Sequence, residues 1–190
     1  MKIKEIVQLA DAFLQTETPP ALFSKTVLDA ELTAALSVKP LSLLLSCVNL
    51  TLSEAAAEYL PLVSRQKVTP IEGKILYSAF EKDIVTLLRI MDKNGTRLRY
   101  RYRPSYIEAD AEGECDAVYS YRPNYKGFLE EAEKGSSALT ARVVAYGAAA
   151  EYCLITGRYE EAVTWDKRYK EGLQNCCKSK NGQLAPRLFR

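Results

Sequence analysis

Four arginines recur at every second position of one short run, Arg97-Leu98-Arg99-Tyr100-Arg101-Tyr102-Arg103. Successive side chains of an extended strand point to opposite faces. This spacing therefore puts the four guanidiniums on one face, with Leu98, Tyr100 and Tyr102 on the other. Such a row could meet phosphates or serve as a protein interface. The plainer reading is a solvated face neutralised from a neighbouring strand. Glu108, Asp110, Glu112, Glu114 and Asp116 follow at alternating positions. A strand carrying them would set carboxylates against the arginines.

A second candidate is the basic C-terminal run, with Lys178, Lys180, Arg187, Leu188, Phe189 and Arg190. It reads either as a disordered end or as an arm that orders on a partner. In the second case Leu188 and Phe189 would anchor it and the charges would guide it.

Other chemistry is poorly supplied. The chain has no histidine, which removes the commonest general base and the commonest metal ligand. Glu81 with Asp83, or Glu160 with Asp166, could pair for acid–base work. With 24 acidic residues in the chain such pairs arise by chance, and no nucleophile or oxyanion loop accompanies them. Gly127, Gly135 and Gly147 stand too far apart for a phosphate loop. A calcium loop counted from Asp110 would have Gly113 at the wrong place and no closing glutamate. The five cysteines (Cys47, Cys115, Cys153, Cys176 and Cys177) show no C-x-x-C spacing, so zinc is not indicated. They read as reduced thiols, with Cys47, Cys115 and Cys153 as small buried hydrophobes. No enzyme, metal or cofactor is expected.

The totals agree with a folded binding or structural protein. The 190 residues are 47% apolar with a net charge of +2. That near-balance argues against a dedicated nucleic-acid binder. The N-terminus lacks a signal peptide's apolar run. The most apolar stretch, Leu41 to Leu52, is broken by Ser42, Ser46, Asn49 and Thr51. It falls short of the ~20 residues of a membrane span. A soluble, intracellular chain with no membrane contact is expected.

The elements that would position these residues fall into zones. Ile3, Ile6, Val7, Ala10, Phe13 and Leu14 trace one face of an amphipathic helix, ended by Thr18-Pro19-Pro20. A second helix is predicted over about Lys25 to Ser37, interrupted by Pro40, and a third over Leu41 to Tyr59, stopped by Pro61. From Gln66 to Tyr121 the period changes. Turn signals recur at Glu72-Gly73, Asp92-Lys93-Asn94-Gly95, Pro104-Ser105 and Glu112-Gly113, between β-rich runs at 74–77, 84–90, 97–103 and 117–121. Asn94-Gly95 is a strong hairpin signal. Five or six short strands are predicted. Ser136-Ser137 would cap a helix over Ala138 to Ile155, closed by Thr156-Gly157. A last helix runs from about Tyr159 to Cys177, and Ser179 to Arg190 reads as an extended tail. The fold class is α+β: a helical body formed by N- and C-terminal helices with a central antiparallel β insertion, a small sheet or sandwich. The expected divisions are 1–63 and 125–178 for the body, 64–124 for a projecting β lobe and 179–190 for the tail.

Two resemblances bear on function. Gly157-Arg158-Tyr159-Glu160-Glu161-Ala162 resembles the middle of a tetratricopeptide repeat, without a second copy at the expected period. More widely, the order helices, β insertion, helices, basic tail is similar to the head–tail adaptor (connector) proteins of tailed bacteriophages, including the tail tubular protein A-like group. The phrases that carry this likeness begin with Leu52-Ser53-Glu54-x-Ala56-x-Glu58-Tyr59-x-Pro61-Leu62 and Ala150-Glu151-Tyr152-Cys153-Leu154. They continue with Gly157 to Ala162 through Trp165-Asp166-x-Arg168, and close on Leu184-Ala185-Pro186-Arg187. The resemblance implies a non-catalytic virion structural protein, present in the host cytoplasm during assembly. It would form a ring of several copies beneath the portal and link portal and tail proteins. DNA would pass through the lumen, and the C-terminal arm would reach into the portal. The alternative is a generic intracellular protein-binding module with a tetratricopeptide-like helical pair.

Overall fold

The computed structural model describes residues 1–16, 23, 39–110 and 113–181, with the backbone alone for 39 and 178–181. The protein is α+β, with helices toward both termini and strands in the middle. It divides into two compact units. One comprises the chain up to Ala55 and from Tyr125 on; the other is Ala56–Asn124.

Among the described residues, the helical unit is built on four helices: α1 (Ile3–Leu14), α2 (Lys39–Glu54), α3 (Ala141–Ile155) and α4 (Tyr159–Asn181). Helix α1 buries Ile3, Ile6, Val7, Ala10 and Leu14, at the spacing of three and four that the sequence shows. It ends where Gln15 turns left-handed at φ 51°. The helix predicted over 25–37 lies outside the described residues. Pro40, expected to stand before the next helix, is inside it. It sits in the first turn of α2, where its missing N–H has no intrahelical acceptor to lose. The expected single helix to Tyr59 instead changes at Ala55 into a π turn, Ala55–Tyr59. Together Pro40–Tyr59 make 20 residues, long and apolar enough to cross a membrane by length and composition, yet half of that stretch is buried inside the protein. Leu41, Leu44, Leu45, Cys47, Val48 and Leu52 are core residues.

Helix α3 is the centre of this unit and packs against α1, α2 and α4. Ala145, Gly147, Ala148, Ala149 and Ala150 are buried along it, and small residues let helix backbones approach closely. A Cβ on Gly147 would collide with the Thr51 methyl and stand 3.0 Å from the Tyr169 ring. The cap of α3 is Thr140, whose hydroxyl accepts from the Val143 N–H at 3.4 Å, rather than Ser136-Ser137. Ser136 is used one turn earlier, where its hydroxyl accepts from the Ala138 N–H. The α3–α4 turn closes on Gly157 at φ +79°. Phe13 stacks on Tyr146 with ring centroids 5.0 Å apart and on Trp165 at 5.2 Å. Tyr146 and Trp165 stack at 5.8 Å, and Arg168 lies over the indole at 4.9 Å. Such ring pairs and a cation on an indole face add attraction beyond the area they bury. Helix α4 continues to Asn181, so Ser179–Asn181 is helical rather than the start of an extended tail. Lysine supports helix, and Lys178 and Lys180 both fall within it.

Among the described residues, the β unit holds seven strands in two antiparallel sheets. They are β1 (Leu62–Val68), β2 (Lys74–Leu76), β3 (Ile84–Met91), β4 (Arg97–Leu98), β5 (Tyr100–Tyr102), β6 (Tyr106–Ala109) and β7 (Cys115–Tyr121). One sheet runs β1-β7-β3-β4, the other β2-β6-β5. Strand β7 is central and buried nearly throughout. Tyr119 is fully buried, edge-on to Phe80 at 4.8 Å, with its hydroxyl donating to Gln66 Oε1 at 3.1 Å. Val68, Ile75, Leu87, Ile90, Ile107, Ala109, Cys115 and Ala117 complete the core.

The run 97–103 is not one strand. Leu98 pairs with Ile90 in the first sheet, whereas Tyr100 pairs with Ala109 and Tyr102 with Ile107 in the second. The chain changes sheets at Arg99, whose carbonyl accepts from the Asp110 N–H at 3.2 Å. Beyond Leu98 this chain no longer pairs its backbone with β3, and at Leu87 tyrosine hydroxyls take its place. The Leu87 N–H donates to Tyr102 Oη at 2.7 Å, and the Leu87 carbonyl accepts from Tyr100 Oη at 2.7 Å. Strand β3 is also irregular at this point, its register against β7 shifting between Leu87 and Arg89, as a bulge would shift it.

Candidate functional site

The arginine run stays together although its strand divides. Arg97, Arg99, Arg101 and Arg103 are all exposed. With Leu98, Tyr100, Glu108 and Asp110, the first three line an open hollow of about 630 Å³. The β3–β4 turn sets the start of the run. Asp92 Oδ1 accepts from the Asn94 and Thr96 N–H groups. Gly95 takes φ +81°, the left-handed geometry that Asn-Gly favours. The hairpin predicted at Asn94-Gly95 is therefore present, joining Met91 to Arg97.

The expected charge pairing is different from the one found. Among the described residues, only Arg103 of the four takes a carboxylate from the acidic run, with Nη2 2.8 Å and Nε 3.0 Å from Glu108 Oε2. Glu114 and Asp116 turn the other way, onto β1. Lys67 Nζ lies 3.0 Å from Glu114, and Arg65 holds Asp116 through two nitrogens, the shorter contact 2.7 Å. The Arg65 hydrogen bond pulls the Asp116 carboxyl below the usual carboxylate range, because it favours the charged form. Register explains this pairing: β7 lies against β1 with Asp116 opposite Lys67, so Arg65 meets Asp116, and Lys67 meets Glu114, as diagonal neighbours across the two strands. Strand β1 escaped the sequence reading because Val63-Ser64-Arg65-Gln66-Lys67 carries no apolar alternation. Its outward charges had no visible partner until the pairing was known. Among the described residues, none forms an ion pair with Arg97, Arg99 or Arg101.

Several tyrosines are committed to structure. Tyr77 Oη donates to the Arg103 carbonyl at 2.7 Å, and Tyr100 and Tyr102 bind Leu87 as above. Lys82 stands 3.8 Å over the Tyr121 ring.

In the helical unit, Lys178 and Lys180 fall on the last turns of α4, and Arg187, Leu188, Phe189 and Arg190 lie outside the described residues. The α3–α4 turn presents an apolar group that the sequence reading did not single out. Leu154, Ile155, Tyr159 and Val163 are all about half exposed or more, with Val163 at 71%. Tyr159 and Val163 are one helical turn apart and so share a face of α4. Glu161 is held by Arg158 beside them, which lowers its carboxyl pKa.

Among the described residues, no three acids or thiols gather to hold a metal ion. Cys47, Cys115, Cys153 and Cys176 are buried. Burial, with the charge of Glu151 second, pushes the Cys47 thiol up to about 12, since both disfavour the thiolate. No family model matches the chain, and no curated protein does.

Proposed function

We propose that the chain is a non-catalytic virion structural protein, a head–tail adaptor that docks on a portal ring and links it to the tail. The observation that carries this reading is the chain order. A helical unit is interrupted between α2 and α3 by the strand-bearing unit, Ala56–Asn124. After that insertion comes the longest described helix, α4, with 23 residues. At 1.5 Å per residue that is about 35 Å of rod. Lys178, Lys180, Arg187, Leu188, Phe189 and Arg190 stand on or after its last turns and would engage the portal. Copies would assemble side by side, with DNA passing through the lumen. The buried thiols and the structurally committed tyrosines agree with a protein whose side chains serve packing rather than turnover.

One observation favours a second reading. The exposed Leu154, Ile155, Tyr159 and Val163 at the tip of the α3–α4 pair suit a generic protein-binding module with a tetratricopeptide-like helical pair. Affinity capture of the tagged chain from phage-induced cells, read by mass spectrometry, separates the two. Enrichment of a portal or tail protein supports the adaptor. Recovery of host cytoplasmic proteins alone, lost in a Tyr159→Ser/Val163→Ser variant, supports the module.

A further inference from the structure

We propose that the hollow lined by Arg97, Arg99 and Arg101 binds the phosphodiester backbone of nucleic acid, without reading its sequence. This binding follows from the charges of the β unit and is independent of the adaptor role.

The β unit is nearly neutral. Counting Ala56–Asn124 in the sequence gives 11 basic and 10 acidic residues, so a net +1. That balance is not spread evenly. Four cations, Arg65, Lys67, Lys74 and Arg103, are held by Asp116, Glu114, Glu72 and Glu108. These pairs withdraw acids from the arginine run. In the hollow itself, Glu108 is already neutralised by Arg103. Three guanidiniums then face one further carboxylate, Asp110, leaving a local surplus of two positive charges. An exposed cluster of like charges repels itself and is destabilising unless a counter-charge is supplied. Among the described residues lining the hollow, Asp110 offsets one of the three charges and nothing offsets the other two.

The form of the cluster selects the partner. A protein interface keeps its charges at the rim around an apolar core of aromatic or aliphatic anchors. This hollow has the opposite composition. Its two apolar members are half-buried and turned to structural work: Leu98 packs on the β unit's core, and the Tyr100 hydroxyl is bound to the Leu87 carbonyl. What it offers outward is three guanidiniums, one at every second residue of the run, all exposed on one hollow. Several like charges gathered on one open face suit a polymer that carries one anion per repeat. Arginine is also the side chain that grips phosphate oxygens with two nitrogens at once. Base reading or stacking would need free aromatic faces or amides at the site, and Tyr100 is tied down. The contacts are therefore to phosphate, which fixes position and carries no sequence information.

The test is binding of a fluorescein-labelled mixed-sequence DNA duplex to the intact chain, followed by anisotropy from about 50 to 300 mM salt. Each phosphate neutralised contributes about −0.9 to the slope of log K against log salt. Three contacts give a slope of about −2.7, equal for two unrelated sequences. Arg97→Gln/Arg99→Gln/Arg101→Gln should lower affinity about tenfold or more at about 50 mM salt and bring the slope near zero. Arg65→Gln/Lys67→Gln removes cations that are already paired and should leave affinity within about twofold. Far-ultraviolet circular dichroism and the melting transition establish that each variant is folded. Three results overturn the proposal: no binding at the lowest salt, equal loss in both variants, or equal affinity for polyglutamate of matched charge. The last would assign the hollow to an acidic protein.

Discussion

Replacing Gly147 by alanine tests the account of the helical unit, because two principles oppose each other there. Alanine is favoured over glycine inside a helix by about 1 kcal/mol, so at an exposed site the change would stabilise. At Gly147 the new methyl meets the Thr51 methyl inside contact distance and the Tyr169 ring at 3.0 Å. Neither neighbour yields easily. Thr51 is fully buried and its hydroxyl donates to the Cys47 carbonyl at 2.9 Å. Turning the methyl away sacrifices that bond, worth about 1 kcal/mol. Tyr169 is buried, and its hydroxyl donates to the Thr51 carbonyl at 3.4 Å. Overpacking a close-packed site costs about 1–3 kcal/mol. The balance is a net destabilisation of about 2 kcal/mol, or a fall in Tm of about 4–8 °C for a chain of this size. Trp165 is the chain's one tryptophan and stacks on Phe13 and Tyr146 in the same unit, so its fluorescence during urea unfolding reads this unit directly. Thr51→Ser removes the colliding methyl and keeps the hydroxyl. In the Thr51→Ser background Gly147→Ala should cost less by about 1 kcal/mol or more, since residues in contact couple by that order. If Gly147→Ala alone is as stable as the parent protein, or if Thr51→Ser brings no relief, the close crossing of α2, α3 and α4 is wrong.

Further outcomes follow from single contacts. Asn49 accepts from the Lys126 N–H at 2.7 Å and donates to the Lys126 carbonyl at 3.0 Å. Asn49→Ala should therefore cost about 1–3 kcal/mol in the same urea assay, and Asn49→Asp, which keeps the acceptor, less. Tyr102→Phe leaves the Leu87 N–H without its acceptor and should expose that amide to faster hydrogen exchange. The same variant should lose about 1 kcal/mol of stability in a circular-dichroism melt. Native protein at about pH 8 should react with a thiol reagent at Cys177, and at the buried cysteines only after unfolding, because a buried thiol with a raised pKa presents no thiolate. The carboxyls of Asp116 and Glu161 have lowered pKa values. They contribute stability above their unfolded pKa and lose it as pH falls through their folded values, below about pH 4. Both ion pairs are largely exposed, so the effect on stability is small. It is best read as NMR titration midpoints, which Arg65→Gln should raise for Asp116 alone.

What the sequence made legible was whatever a short-range pattern determines. The 3.6 period of Ile3 to Leu14 marked α1, Asn94-Gly95 marked the β3–β4 turn, and Thr156-Gly157 marked the end of α3. The switch of sheets at Arg99 was not legible, because alternation from Arg97 to Arg103 is the same whether one strand or two neighbours use it. Its signal was the pair of tyrosines that substitute for backbone at Leu87, and this is visible only with β3 in place. The charge pairing held across the β5–β6 hairpin, where Arg103 takes Glu108, and not beyond it. The later acids Glu114 and Asp116 lie at or on β7, which pairs with the distant β1, from Leu62 opposite Tyr121 to Val68 opposite Cys115. A non-local ladder decided which acids were consumed and left three arginines without them. The α3 cap is Thr140 rather than Ser136, because the Thr140 hydroxyl takes the Val143 N–H while the Ser136 hydroxyl is used on the Ala138 N–H of the preceding turn.

The central claim is that this chain docks on a portal ring, and reconstitution tests it most directly. Purified portal rings are mixed with the chain, and with a version ending at Asn181, and the particles are weighed by native mass spectrometry. The account predicts that several copies add to each ring in the intact case and that the shortened chain, folded by its Trp165 emission, adds none. Portal rings whose mass is unchanged by the intact chain would contradict the claim. Equal loading by both versions would keep the docking and remove the C-terminal residues from it.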